Sequence, residues 1–298
     1  MILAVTGGTG FVGEHLLTLA VERGHTVRAL TRRPQPPRAG VDWTLGDLAA
    51  PGDLCAGADA LIHIAGTITA VTRAGFDAGN VAGTASIIAA AHAAGVRRFV
   101  HVSSLAAREP GLSDYGASKK AAEALVAASG LDWAIVRPSG VYGPGDRETL
   151  PVLQMVARGF AILPGDGHFS LIEVSDLAAA LLAVAASDYR GIAEIDDGVA
   201  YSHADLARAI GVAVGRTPRM IRLPLGILRV TATVETALAR LQRRNPRMTR
   251  DRARYLAHPD WVAATGAGLP SGLWQPATGI AEGLARAVAW YRAQGWLA

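Results

Sequence analysis

The stretch Ile2-Leu3-Ala4-Val5-Thr6-Gly7-Gly8-Thr9-Gly10-Phe11-Val12-Gly13 opens the chain and decides its architecture. Its first five residues read as a buried strand, and a helical pattern resumes directly after the glycines. Gly7, Gly10 and Gly13 are spaced three apart. Glycine permits a tight turn and lets the main chain approach a ligand closely. The helix that follows offers free N–H groups and the positive end of its dipole, which together favour a phosphate. Gly7, Thr9, Gly10, Phe11, Val12 and Gly13 are therefore candidate pyrophosphate-binding residues. A glycine-rich run alone is a weak signal. Its seat between a first strand and a first helix makes it specific for a dinucleotide.

Working outward, strand and helix signals alternate. Ile2–Thr6, Thr26–Thr31, Val41–Leu45, 60–64, 99–103 and 133–136 read as strands, several of them almost continuously apolar. Between them, 14–23, 81–94 and 117–128 read as helices, stopped by Gly24, Gly95 and Gly130. A further strand 171–174, helix 176–186 and strand 192–195 extend the pattern, and we assign them to the same sheet. Apolar strands separated by helices predict an α/β fold, a doubly wound parallel sheet covered on both faces. Ligands of such sheets meet the carboxyl ends of the strands. Residues 1–142 plus 171–198 form the expected dinucleotide-binding domain. Residues 143–170 plus 199–298, rich in prolines, form the expected smaller, mostly helical substrate-side lobe. The final helix signal, 280–291, carries Trp290 and Tyr291, which with Trp296 read as packing residues.

Composition narrows the function classes. Half of the 298 residues are hydrophobic and 18% are charged, so the chain can bury a sizeable core. A single cysteine, Cys55, excludes a disulfide framework, and the eight histidines never adopt a metal-ligand spacing. No metal site is expected. The N-terminus lacks a leader pattern and no apolar run reaches the length of a membrane span, so a cytoplasmic protein is expected. Between Arg216 and Arg254, eleven arginines face only Glu235 and Asp251, a net charge of +9. This segment is either a solvated face or a dock for an anionic substrate, an acidic partner or the surface of the inner membrane. Nucleic acid is not expected, because no aromatic residues interleave there.

The second strand ends at Leu30-Thr31-Arg32-Arg33. NAD-binding folds place an acidic side chain at this point to hold the ribose hydroxyls. Here Thr31 stands there and two cations follow, so Arg32 and Arg33 favour NADP over NAD by attracting its 2′-phosphate. Asp47 and Leu48, after the third strand, are placed to meet the adenine, with Asp47 as an acceptor for its amino group.

Tyr115 and Lys119 stand at i and i+4, on one face of a helix. A tyrosine titrates near pH 10, and a cation a few ångströms away favours its phenolate. Ser104, just past the fifth strand, can hydrogen-bond a substrate oxygen. These are the parts for moving a proton to or from an oxygen whose carbon exchanges hydride with a nicotinamide. Only Lys119 and Lys120 among the 29 cations are lysines. One of two lysines falls four after a given tyrosine by chance about 2 times in 298 in such a composition.

With these residues in place, the chain resembles the extended branch of the short-chain dehydrogenase/reductase superfamily, which includes the NAD-dependent epimerase/dehydratase family. The resemblance rests on Thr6 to Gly13, His63-Ile64-Ala65-Gly66, Asn80-Val81-Ala82-Gly83-Thr84, Val102-Ser103-Ser104, Tyr115 to Lys119, Arg137-Pro138-Ser139-Gly140-Val141-Tyr142-Gly143-Pro144-Gly145-Asp146 and Val174-Ser175-Asp176-Leu177-Ala178. It implies a Rossmann fold and a catalytic triad of Ser104, Tyr115 and Lys119. Ser104 rather than Ser103 fits the family's serine. Ala65 and Gly66 would border the ribose–phosphate region, and Pro138 and Ser139 would lie near the nicotinamide. His63 reads as a packed core histidine and Asn80 as structural or part of a wider polar network. The resemblance also implies a homodimer through helices at 83–94 and 116–129.

Two departures refine the match. Only ten residues separate Ser104 from Tyr115, and Leu105 stands where sugar dehydratases tend to carry a glutamate. The short spacing and the 137–146 stretch look like the nucleotide-binding accessory subunit of respiratory complex I and its bacterial relatives. The first expectation is an NADP-dependent oxidoreductase acting on a carbonyl or alcohol, apolar or sterol-like if the strip Leu225, Ile227, Leu228, Val230, Val234, Leu238 and Leu241 lines the substrate crevice. Two alternatives stay open: a nucleotide-sugar epimerase, and an NADP(H)-binding structural or assembly protein of a membrane complex.

Overall fold

The structure, a computed structural model, describes residues 1–223, 226–227, 230, 233, 235, 242, 254–255 and 258–297. Most of the basic segment 216–254 and most of the apolar strip that begins at Leu225 lie outside the described residues. The chain divides into two compact units. The first comprises Met1–Pro138, Ser175–Ile195 and Thr265–Gln275, and the second Ser139–Val174, Asp196–Ala264 and Pro276–Ala298. Residues 265–275, expected in the lobe, fall within the first unit.

In the first unit, strands β1 (Ile2–Thr6), β2 (Thr26–Thr31), β3 (Val41–Leu45), β4 (Ala60–His63), β5 (Arg98–Val102), β6 (Asp132–Pro138) and β11 (Gly191–Ile195) form one sheet. Its order is β11-β6-β5-β4-β1-β2-β3, and every neighbouring pair is parallel. The order reverses beside β1, so β1 and β4 bound the crevice at which a doubly wound sheet binds its ligand. Helices α1 (Phe11–Glu22), α2 (Arg73–Asp77), α3 (Gly83–Ala93), α4 (Asp114–Ala127) and α6 (Val174–Ala185) supply the connections. A π-helical turn, Ala78–Ala82, joins α2 to α3, and a 3₁₀ turn, Leu105–Arg108, follows β5. Gly24 and Gly95 close α1 and α3 in left-handed conformations, as the sequence predicts. Leu54, Leu61, Ile87, Phe99, Val126 and Ile135 form a core between sheet and helices.

The second unit carries β7 (Gly140–Tyr142), α5 (Leu150–Ala157), β8 (Phe160–Leu163), β9 (His168–Phe169), β10 (Leu171–Glu173), β12 (Tyr201–Ser202), α7 (His203–Val214), β13 (Arg219–Arg222), β14 (Asp260–Trp261) and α8 (Ile280–Ala293). One assignment is corrected here. The strand expected at 171–174 does not join the central sheet; β10 pairs in parallel with β7. Pro138, the last residue of β6, brings no N–H, and the chain passes on into β7 within two residues. Tyr291 is fully buried among Leu153, Val156, Ile210 and Leu284, and its hydroxyl donates to the carbonyls of Gly143 and Asp146. The C-terminal aromatics are packing residues, as read. Among the described residues, no helix is long and apolar enough to cross a membrane.

Candidate active site

The glycine loop is held by crowding as much as by flexibility. Gly7 takes φ +76°, and a Cβ there would sit 2.8 Å from the amide nitrogen of Ala65, at the end of β4. A Cβ on Gly13 would collide with the carbonyl oxygen of Gly7 and lie 2.7 Å from Cα of Gly8. Gly10 donates its N–H to Gly7 (3.0 Å) and receives that of Glu14 (2.9 Å), starting α1 without a side-chain cap. Thr9 and Gly10 are exposed. The helix thus presents an uncapped N-terminus at the switch point of the sheet, which fits a pyrophosphate.

At the end of β2, buried Thr31 accepts the amide hydrogen of Arg33 (3.3 Å) and donates to its carbonyl (2.7 Å). This tight turn leaves Arg32 and Arg33 exposed, and no carboxylate pairs with either among the described residues. Exposed Asp47 spends Oδ1 on the amides of Ala49 and Ala50, both at 2.9 Å, fixing the turn after β3. Leu48 packs where a Cβ on Gly83 would lie, 2.7 Å from its Cδ1, so α3 approaches that turn closely.

A continuous hydrogen-bond chain runs behind the end of β4. The amide of Ala65 donates to Thr6 Oγ1 (3.2 Å), which pairs with His63 Nδ1 (2.7 Å). His63 Nε2 pairs with Thr84 Oγ1 (3.0 Å), which donates to the carbonyl of Asn80 (2.6 Å). Because the Thr84 proton is spent on a carbonyl, Nε2 must donate and Nδ1 must accept. His63 is therefore neutral, and burial, with Lys119 nearby adding to it, pulls it down to about 3. It is a structural histidine. His101 stacks on it at 5.4 Å and is likewise held well below its ordinary value by burial, then by Lys119 and His63.

Asn80, on the π-helical turn, links two parts of the site. Its Oδ1 accepts the amide of Thr67 (2.6 Å), and Nδ2 donates to the carbonyl of Thr67 (3.0 Å) and to Ser118 Oγ (2.8 Å). Ala65 and Gly66 are thereby held beside α4. A Cβ on Gly66 would lie 3.9 Å from Lys119 Nζ.

Ser104, Tyr115 and Lys119 come together at the carboxyl end of β5. Ser104 caps the 3₁₀ turn by accepting the amide of Ala106 (3.2 Å), and it lies close enough to Tyr115 to influence its hydroxyl. Burial raises the Tyr115 hydroxyl above its ordinary value, and Ser104 pulls the other way. Lys119 is buried one turn further along α4, and its Nζ donates to the carbonyl of Val102 (2.7 Å). Burial lowers it to about 8, against the opposing pull of Glu123. Ser103 points elsewhere, donating to Glu123 Oε1 (2.6 Å). Pro138 ends β6 within the first unit, and the second unit begins at Ser139; both are buried.

Sequence reasoning missed Glu123, Arg137 and Glu194. All three are buried, and Arg137 bridges the two glutamates. Each stands too far in sequence from its partners for a local pattern to join them.

The sheet order, the crowded glycine loop and the uncapped helix define a dinucleotide-binding oxidoreductase fold. A family model described as NAD(P)H-binding matches residues 7–188, and the chain belongs to that family. It is an NAD(P)-dependent enzyme of the extended short-chain dehydrogenase/reductase type. The chain is 40% identical to a ceramide reductase of Caulobacter vibrioides over 99% of this chain and 96% of that protein. It is 32% identical to a 2-alkyl-3-oxoalkanoate reductase of Stenotrophomonas maltophilia, over 96% and 98%. Among solved structures, MoeE5 in complex with UDP-glucose and NAD superimposes with a TM-score of 0.75 at 25% identity, covering 98% of this chain and 99% of that one.

Proposed function

We propose that the protein is an NADP(H)-dependent carbonyl reductase in which Tyr115 donates the proton, Ser104 orients the carbonyl oxygen and Lys119 holds the cofactor ribose. The observation that carries this reading is that α4 sets Tyr115 and buried Lys119 one turn apart, with Lys119 Nζ on the Val102 carbonyl at the end of β5, two residues before Ser104. When bound, the nicotinamide exchanges hydride with the carbonyl carbon. Residues Gly7, Thr9, Gly10, Phe11, Val12 and Gly13 hold its pyrophosphate, Ala65 and Gly66 flank the ribose, and Pro138 and Ser139 lie toward the nicotinamide. Arg32 and Arg33 take the 2′-phosphate, and Asp47 and Leu48 border the adenine through Asp47 Oδ2 and the Leu48 side chain. A tyrosine held above its ordinary value stays protonated at neutral pH, which suits it to give a proton to an alkoxide.

The substrate we infer is a carbonyl on a long apolar skeleton. The relatives named for ceramide and for 2-alkyl-3-oxoalkanoates share that character. The nucleotide-sugar reading is favoured by the likeness to MoeE5. One assay separates the two: NADPH consumption with a panel of long-chain 3-oxo amides and acids, beside a UDP-sugar panel followed for epimerisation. Turnover of the lipid ketones, lost by at least about 10²-fold in Tyr115→Phe, supports the reading. Epimerisation with no ketone reduction overturns it.

A lipid surface fits the second unit. In the parallel β8–β13 pair, Phe160 faces Arg219 and Ile162 faces Ile221, so these side chains share one side. Phe160, Ile162 and Ile221 are about 40% exposed, Arg219 lies beside Phe160, and Arg222 pairs with Asp166 at 3.5 Å. An apolar patch bordered by Arg219 fits an anionic membrane, and salt-sensitive co-sedimentation with phosphatidylglycerol vesicles is the expected result. Equal partition with and without vesicles excludes this docking.

A further inference from the structure

Helix α4 places Tyr115, Lys119 and Glu123 at i, i+4 and i+8, in one row along the helix. Glu123 is almost fully buried, yet it is the best-anchored carboxylate in the first unit's core. Its Oε1 accepts from Ser103 Oγ (2.6 Å) and Arg137 Nε (2.7 Å). Its Oε2 accepts from Arg137 Nη2 (2.7 Å) and, more loosely, from half-exposed Lys120 (3.4 Å). The Arg137 pairing is a two-pronged fork, the geometry in which a guanidinium holds a carboxylate most firmly. Arg137 is shared. Its Nη1 reaches Glu194 Oε1 (3.2 Å) on β11, and Arg108, from the turn after Ser104, reaches Glu194 Oε2 (3.4 Å).

The cluster therefore joins four elements that meet behind the proposed triad: α4, the β5 end, β6 and β11. Burying this many charges is not an efficient way to stabilise a core, since the desolvation cost offsets much of the attraction. A device that fixes both a position and a local field makes better sense of it.

We propose that Glu123 is a positioning residue: its carboxylate, locked by Arg137 and Ser103, seats the Tyr115 helix against the end of β5 and fixes a negative charge one helical turn from Lys119. The inference rests on the reading of Ser104, Tyr115 and Lys119 as the reacting set. Every titratable neighbour of Lys119 other than Glu123 fails to supply a negative charge. His63 on β4 and His101 on β5 are neutral and buried, and Tyr115 on its own helix is protonated. Asn80 and the Val102 carbonyl offer dipoles only. Glu123 is the group that opposes the burial of the lysine, and it is held ionised by Arg137 and Ser103 against its own burial. Arg137 is in turn balanced by Glu194, which leaves Glu123 free to act on Lys119 rather than being neutralised outright.

The chain's composition makes a direct test possible, because Lys119 and Lys120 are its only lysines. Protein carrying ¹³Cε-labelled lysine, with Lys120→Arg used for assignment, yields the Lys119 titration midpoint by NMR without any turnover. In Glu123→Gln, with the fold checked by circular dichroism, the midpoint falls by about 0.5–1 pH, and the basic limb of the kcat/KM profile moves down with it. Glu194→Gln leaves Glu123 in place but gives it all of Arg137, so the midpoint falls in the same direction by less; this second variant serves if Glu123→Gln does not fold. A midpoint unmoved in the variants that fold overturns the proposal. Tyr115→Phe with undiminished turnover defeats the reading of the triad instead, and leaves the midpoint measurement standing.

Discussion

Asn80 reaches Ser118 across 38 residues of sequence, donating from Nδ2 to Oγ at 2.8 Å, while the rest of its amide grips both backbone groups of Thr67. One buried side chain thus sets the distance between the loop after β4 and the helix that carries Tyr115 and Lys119. Replacing it leaves both backbone groups of Thr67 and the Ser118 hydroxyl one partner short. Asn80→Ala is expected to lower the unfolding free energy by about 2–4 kcal/mol in urea titrations. It should also weaken NADPH binding about tenfold, because Ala65 and Gly66 lose their support. A variant as stable as the parent would show that the amide is dispensable.

Gly13 faces a different constraint. It lies inside a helix, where alanine is intrinsically favoured, yet a Cβ there would run into Gly7 and Gly8. The glycine loop can yield only by opening. Gly13→Ala should therefore keep its helical circular dichroism while losing at least about 10²-fold in NADPH affinity, or about 2.8 kcal/mol. Fluorescence titration of NADPH checks it; unchanged affinity would mean that the loop does not hold the pyrophosphate.

How legible these features were depends on the range of the interaction. The loop from Gly7 to Gly13 and the Tyr115–Lys119 pair are written within one or two helical turns, so local periodicity reveals them. The choice of Ser104 over Ser103 rested on a resemblance, and the Ser103–Glu123 bond, between residues 20 apart, leaves no local trace in the sequence. Asn80 was visible only as a possibility, since the π-helical turn shifts the face on which it emerges and a 3.6-residue period does not describe that turn. The Glu123–Arg137–Glu194 cluster was missed because its members come from α4, β6 and β11, and no local pattern joins them. The misassigned strand at 171–174 has the same origin: β10 carries an apolar signal like that of the central strands, and only its pairing with β7 tells them apart.

The cofactor preference turns on charge at the end of β2. Thr31 is committed to its own turn, and Arg32 and Arg33 project into solvent with no acidic partner among the described residues. A charge-assisted contact to a 2′-phosphate at a solvated site amounts to about a factor of ten. Arg32→Ala and Arg33→Ala should each weaken NADPH binding by about that factor and leave NADH binding unchanged. Isothermal titration with both cofactors decides the matter. A parent protein that binds them equally refutes the NADP assignment outright.

The last prediction concerns acid stability. His63 titrates near 3 in the folded protein because burial, helped by Lys119, excludes its charged form. In the unfolded chain it titrates near 6.5. Between those values the unfolded state binds a proton that the folded state refuses, so stability rises with pH across that window. The contribution of His63 is complete above about pH 6.5 and is lost as pH falls toward 3, amounting to about 2 kcal/mol by pH 5. His101, also held well below its ordinary value by burial, acts in the same sense. Urea midpoints measured from pH 7 to pH 5 should therefore fall with a slope approaching two protons from these two residues. His63→Asn, which keeps an amide donor and acceptor for Thr6 and Thr84, should remove about one proton from that slope even if it costs stability at pH 7. A slope identical in parent and variant would place the acid sensitivity in other groups.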